Sequence, residues 1–380
     1  MTISTGSVRA ARLTDRQALI DLSRRVHAAG DAHRRSLGVP APSARRAQIS
    51  LGSLIPTWLP LRPPSVHLIA EKDGQLVGSC RAIEEPHRED WVITELDAAD
   101  GPMAAEVRWE LLERLIEEGQ KKEVARYHAA CSDVRENLEL FGQAGFMAYA
   151  QEEILYLPSE SERGARGWLR RLLARSPGAQ RDGRPERGSA RGEGAEQRSP
   201  TRRSDPRVGA QPTAEREPIR AAGAPDAWHL FDLWSHATPP AIARIEGYSA
   251  ADWESVGHEA IVPRSSLNPL LHFSEVGAWL MLQDQRAGGF VQYGACREGP
   301  SYLRFLIRDG TDGAGFLRDA MQALGRDALA AGMLAPVRTY ESTGMRAAAA
   351  VGFVPIGRVT MLVREVRATI RQPVMVPAIH

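Results

Sequence analysis

The chain has 380 residues, of which 43% are hydrophobic and 25% charged, with a formal net charge of +1. That length admits two or three domains, and the balanced charge gives no whole-chain attraction to nucleic acid or to an acidic partner. It lacks the apolar run of about 18 residues that a membrane-spanning helix needs, and Met1–Ser7 lacks the apolar core of a signal peptide. Cys80, Cys131 and Cys296 are widely spaced in apolar stretches. They read as reduced core thiols, not as a disulfide frame or a metal site, so a cytoplasmic protein without metal ligands is expected.

In chain order, Val8–Arg12 reads as a short strand, and Asp15 caps an amphipathic helix over Arg16–His27 with Ala18, Leu19, Leu22 and Val26 on one face. A Pro-rich stretch follows, with room for a short helix around Ala44–Leu54. Val66–Glu71 and Gln75–Glu84 form a hairpin across Lys72-Asp73-Gly74, where Asp-Gly supplies the positive φ that tight turns need. Trp91–Leu96 is a strand. Ala104–Lys121 is a long helix carrying Val107, Leu111, Leu112, Leu115 and Ile116 at helical spacing. Val124–Cys131 is a strand, Val134–Gln143 a helix, and Phe146–Leu157 a strand pair or one long strand.

The same order then recurs. Val8-Arg9-Ala10-Ala11 returns about 210 residues later as Ile219-Arg220-Ala221-Ala222, a period far beyond that of solenoid repeats and long enough for a whole domain. Asp15 matches Asp226, Leu19 matches Leu230, Gly78 matches Gly289, and Ala144-Gly145-Phe146 faces Val351-Gly352-Phe353. In the second copy the hairpin is Ala278–Asp284 with Gly288–Arg297, and the next strand Tyr302–Arg308. The long helix spans Gly315–Ala331, followed by strand Ala335–Tyr340, helix Ser342–Val351 and strand Val354–Val366. The predicted division is 1–157, 158–217 and 218–370.

The middle segment, dense in Arg, Gly, Ser, Pro and Glu, cannot bury enough apolar area to offset chain entropy and is expected to be disordered. A short basic amphipathic helix around Trp168 interrupts it. A protease is therefore expected to cut between Pro177 and Glu217 and release two folded fragments. Trp228, Trp234 and Trp253 read as a wall of the second domain. No phosphate loop, zinc-protease helix, paired C-x-x-C or nucleophile elbow is present.

This element order, with Gly78 and Gly289 in the hairpins, the long helices and the terminal Ala-Gly-Phe and Val-Gly-Phe, resembles the GNAT acetyltransferase family in both copies. The resemblance implies an α/β fold: two tandem GNAT-like domains, each a mixed, mostly antiparallel sheet flanked by helices, joined by the disordered linker. It also implies transfer of an acyl group from acetyl-CoA to an amine on a small molecule or peptide, with the amine attacking the thioester directly. The family binds the pyrophosphate on a loop of the form Arg/Gln-x-x-Gly-x-Gly/Ala at the start of the long helix, where bare backbone and free N–H groups meet the anion. In the second copy this register falls on Asp312-Gly313-Ala314-Gly315-Phe316-Leu317, half of the motif. In the first it falls on Met103, Glu106 and Arg108, which leaves no glycine and one carboxylate.

The implied cofactor residues are accordingly Leu306, Ile307 and Arg308 on the preceding strand, with Asp312, Gly313, Ala314, Gly315 and Phe316. The family's acidic tyrosine position holds Phe141 in the first copy and Ala348 in the second. Tyr340 is the substitute acid, and Glu341 and Glu95 are the candidate bases. The alternative is a non-catalytic pair serving as a binding or structural module. The acceptor and the oligomeric state are left open.

Overall fold

The computed structural model describes residues 7–28, 37, 65–85, 88–159, 162, 218–257, 261–267, 273–296 and 299–366. The expected disordered linker, the Trp168 helix and the helix around Ala44–Leu54 lie outside them.

The first half runs β1 (Ser7–Ala10), α1 (Arg16–Ala28), β2 (Ser65–Lys72), β3 (Gln75–Glu84), β4 (Asp90–Ala98), α2 (Ala104–Gln120), β5 (Arg126–Ser132), α3 (Arg135–Gln143) and β6 (Met147–Leu157). The second half runs β7 (Arg220–Ala221), α4 (Ala227–Ala237), α5 (Pro240–Glu246), β8 (Phe273–Gln283), β9 (Arg286–Cys296) and β10 (Ser301–Ile307). It ends with α6 (Gly313–Ala330), β11 (Met333–Arg338), α7 (Ser342–Ala350) and β12 (Val354–Glu365). No helix among the described residues is long and apolar enough to cross a membrane.

Turn chemistry sets both hairpins. Asp73 and Gly74 take φ of 52° and 74°, as the Asp-Gly pair requires, and β2 and β3 pair directly across them. The second hairpin turns on Asp284 and Gln285, at φ 52° and 61°. No glycine marks that turn, so the expected strand start at Gly288 falls two residues late.

Helices cover both faces of the sheet. On one, α2 lays Leu111, Leu112 and Leu115 on Leu68, Cys80 and Leu96, and α6 lays Phe316, Leu317 and Ala320 on Val291, Leu303 and Phe305. On the other, α1 sets Leu19, Leu22 and Val26 against Ile69 and Leu76, while α4 sets Leu230, Leu233 and Trp234 against Leu280 and Phe290. The repeated glycine has a packing cause. A Cβ on Gly78 would lie 2.5 Å from Val107 Cγ1, and one on Gly289 2.7 Å from Phe316 Cδ1. The long helix of each half presses directly on bare strand backbone. Of the tryptophans expected to form a wall, Trp234 and Trp253 do so, whereas Trp228 is 66% exposed.

The halves do not own separate sheets. One 12-stranded sheet runs β1-β2-β3-β4-β5-β12-β6-β11-β10-β9-β8-β7. The order reads the same from either end once β1–β6 are exchanged for β7–β12. Each half has contributed its last strand to the other: β12 lies between β5 and β6, pairing Val359–Glu365 with Arg126–Ser132, and β6 lies between β12 and β11. Two folded fragments after a single cut therefore do not follow from this topology, because each half's sheet is completed by the other's strand.

Candidate functional site

Each half contains one parallel pair of strands, and each pair diverges after a few residues. A wedge opens at that divergence. In the second half β10 and β11 pair only at Ser301–Met333 and Tyr302–Leu334. The gap beyond is bridged by a buried ion pair. Arg304, on β10, donates to Glu341 at 2.8 and 2.5 Å and to the Phe305 carbonyl at 2.8 Å. Glu341 also accepts the Arg338 N–H at 3.1 Å, and the two side chains are 1% and 6% exposed. Both carboxylate oxygens are engaged, so Glu341 is not a free base. Tyr340, beside it at the end of β11, is largely buried, and burial raises its pKa above the usual phenol value.

The start of α6 is likewise satisfied from within. The Asp312 side chain accepts the Gly315 N–H at 2.9 Å, the Asp312 carbonyl accepts the Phe316 N–H at 3.0 Å, and Gly313 donates to the Thr311 carbonyl at 2.8 Å. Asp312, expected among the cofactor residues, is the N-cap of the helix, which begins at Gly313 rather than Gly315. Gly313 is bare because a Cβ there would meet Ala347 Cβ at 2.9 Å. Phe316, Leu306 and Ile307 are core residues, and Ala314 is half-buried in the first turn. Arg308 is held by the Ala287 carbonyl at 2.9 Å and by Asp232 at 2.5 Å. The structure thus brings these residues together, with most of their donors already used.

The wedge of the first half is different. β4 and β5 pair at Asp90–Arg126, Trp91–Tyr127 and Val92–His128, then part. At that point the β3–β4 ladder slips: Arg81 faces Glu95 and Ala82 faces Ile93, so Thr94 is skipped. Such bulges bend a strand and re-aim its side chains. The resulting cleft is lined by Val92, Ile93 and Thr94 of β4, by His128, Ala129 and Ala130 of β5, and by Arg264, Ser265 and Ser266 of the second half.

Glu95 follows the bulge. Ser79 hydrogen-bonds its carboxylate, His67 Nε2 lies 3.9 Å from Oε1, and the carboxylate is 25% exposed. His67 is buried, and desolvation lowers its pKa although Glu95 pulls the other way. The row His67, Arg81, Glu95 runs across β2, β3 and β4, on the opposite face from Leu68, Cys80 and Leu96. At the start of α2, Glu106 is exposed and Val107 donates to the Met103 carbonyl at 2.9 Å. Its N-cap residue is Met103, which makes no side-chain cap hydrogen bond such as Asp312 makes in α6.

A buried charge network joins the halves. Arg264 makes two hydrogen bonds to Glu85, one of 2.7 Å, and lies 3.8 Å from Asp90. Arg338 contacts Glu246 at 2.7 Å and Glu152 at 3.3 Å, all three fully buried. Burial pushes the Glu85 carboxyl up and Arg264 more than offsets it, leaving it below the ordinary value. Burial, then Arg264, pushes the His128 ring down to about 4, so it is neutral at pH 7. Desolvation raises Glu246.

Sequence reasoning missed His67, His128, Arg264 and Ser266. Val262-Pro263-Arg264-Ser265-Ser266 lies between elements and has no counterpart among the described residues of the first half. Only the fold shows that it closes the other half's cleft.

No family model and no curated protein sequence matches the chain. Among solved structures it is similar to a tandem GNAT protein from the clavulanic acid biosynthesis pathway, solved without AcCoA, at 13% identity over 94% of this chain and 98% of that one, with a TM-score of 0.51. It is also similar to a GCN5-related N-acetyltransferase from Sphaerobacter thermophilus, at 12% identity over 96% of this chain and 97% of that one, with a TM-score of 0.49. The first likeness shows the fold. The chain has the architecture of a tandem GNAT protein.

Proposed function

We propose that this protein is an acyl-CoA-dependent N-acyltransferase that acts on an amine and works through the wedge of its first half. The fold supports the reaction class by analogy only. The observation that carries the choice of half is the contrast between the two wedges. The β4–β5 wedge is opened by a bulge at Thr94 and lined as a cleft, whereas the β10–β11 gap is bridged by Arg304 and Glu341.

Acyl-CoA, as co-substrate, supplies a thioester-activated acyl group. Ile93 and Thr94 would lie along that group, and the backbone of Thr94, skipped by the β3 ladder, is the donor best placed to polarise a carbonyl. Glu95 takes the proton of the acceptor ammonium, and Ser79 fixes its orientation. The second half then closes the cleft through Arg264–Ser266. On this reading Glu341 belongs to the structural pair and Tyr340 to the wall beside it.

The second reading keeps the pyrophosphate on Gly313–Phe316. It requires Asp312 to release the Gly315 N–H. A third treats the pair as a binding module without turnover.

The test is thiol release from acetyl-CoA against a panel of small and peptide amines, with full-length wild type and Glu95→Gln. Amine-dependent release that falls about 10²–10⁴-fold in the variant, at unchanged thermal midpoint, supports the reading. No amine-dependent release, or full activity of Glu95→Gln, refutes it.

A further inference from the structure

Two opposite charges face one another across β3 and β4 and do not pair. Arg81 is the cross-strand partner of Glu95, a placement that sets the Cβ atoms about 5 Å apart and favours an ion pair. Glu95 takes the Ser79 hydroxyl instead, and among the described residues no carboxylate pairs with the Arg81 guanidinium. Its Nε is buried with no hydrogen-bond partner. Burial pulls the Arg81 pKa below its ordinary value, which Glu95 only partly offsets. Thr94, of the cleft wall, hydrogen-bonds the Arg81 carbonyl at 3.4 Å, so the unpaired cation stands next to the proposed acyl site.

His67, on the neighbouring strand, adds a second unsatisfied group. Its side chain is 4% exposed, neither ring nitrogen has a hydrogen-bond partner, and Nε2 stands 3.9 Å from Glu95 Oε1. Desolvation keeps the ring neutral at pH 7. A fold retains unpartnered buried polar groups where a ligand or water completes them.

The charges around this row decide what suits it. Arg9 is shared by two acids, Asp15 at 2.7 and 2.9 Å and Glu71 at 3.2 Å, and Asp97 is buried with partners of its own. The surplus beside the row is therefore negative, which draws an ammonium. An amine alone would leave Arg81 without an anion. A ligand with an ammonium and a carboxylate on one carbon answers both, the carboxylate through charge-assisted hydrogen bonds to the guanidinium.

We infer that the acceptor is an α-amino acid, bound across the row with its ammonium on Glu95 and its carboxylate on Arg81, beside the free nitrogens of His67. The inference rests on the first-half reading above and names its acceptor class. Glu95 takes one ammonium proton, and the freed nitrogen attacks the thioester carbonyl. The C–N bond forms as the C–S bond breaks, and a second proton of the nitrogen passes to the departing thiolate. The product is an N-acylamino acid.

The assay is thiol release from acetyl-CoA by full-length wild type, Arg81→Met and Arg81→Lys, with L-amino acids and the matching amino-acid amides, which lack the carboxylate. Wild type is expected to prefer an amino acid over its amide by about 10–100-fold in kcat/KM. In Arg81→Met that ratio should fall to about one, chiefly through a raised KM for the acid. Arg81→Lys, which keeps the charge, should retain part of it. General damage to the fold lowers both rates and leaves their ratio, and far-ultraviolet dichroism checks each variant. Where Arg81→Met does not fold, Arg81→Lys decides, and an undiminished ratio in it counts against the inference. Amides used as well as acids by wild type, or release with other amines and no amino acid, would overturn the inference and leave the Glu95 reading standing. So would a preference that survives in Arg81→Met. Release with no amine of any kind would overturn both readings.

Discussion

Separating the halves should destroy both. In residues 1–157 alone, β6 would lose its neighbours on either side, since it pairs only with β11 and β12. Ile154, Leu155, Tyr156 and Leu157 are 0–5% exposed in that setting. At about 1.5–3 kcal/mol per buried side chain, their exposure forfeits on the order of 10 kcal/mol. A domain's whole stability is about 5–15 kcal/mol. The second half fares no better, because Val359, Met361, Leu362 and Val363 of β12 lose β5 and β6 together. The assay has two arms. A protease site placed within 158–217 of the full chain and cut should leave two pieces that co-elute as one particle and unfold in one denaturant transition. Residues 1–157 and 218–380 expressed separately should be insoluble or show no cooperative transition. A monodisperse, cooperatively unfolding fragment from either half would refute the strand-exchange argument.

Two further outcomes follow from the buried charges. Arg338→Met strands Glu246 and Glu152 without their cation and should destabilise by about 3–5 kcal/mol at pH 7 in chemical denaturation; the loss should shrink in acid, where Glu246, already raised by burial, takes a proton. His128 is held near 4 when folded against its ordinary 6.5, so the unfolded chain binds the extra proton first. Its contribution is complete above pH 6.5 and is lost as pH falls toward 4, amounting to about 3 kcal/mol; His128→Gln should flatten that part of the stability–pH curve, and an unchanged slope would contradict the assignment.

Local chemistry made much of the fold legible. Asp73-Gly74 marked a hairpin because few residues accept two positive φ angles in sequence, and the leucine spacing of 104–120 marked a helix buried on one side. The repeat was readable because Gly78 and Gly289 answer the same steric demand from a helix pressed on a strand. Strand exchange left no trace, since β6 and β12 read as ordinary strands and their partners are chosen by position in the sheet. The candidate site was legible only in part. Glu95 could be found from its place on the central strand. Glu341 read as a base because its partner, Arg304, lies on another strand, and Asp312 read as a cofactor residue although Asp three residues before Gly315 has capping spacing. Arg264 and Ser266 could not be assigned, because the cleft they close belongs to the other half.

The central claim is that the first half, not the second, takes the acyl donor. Calorimetric titration of acetyl-CoA into full-length wild type, Thr94→Trp and Gly315→Glu tests it most directly. Thr94 lines the β4–β5 cleft and is partly exposed, while Gly315 sits in the capped first turn of α6. With all three proteins showing native dichroism, the account predicts binding to wild type, none to Thr94→Trp, and near wild-type affinity for Gly315→Glu. Retained binding in Thr94→Trp together with loss in Gly315→Glu would contradict it and place the donor on the second half.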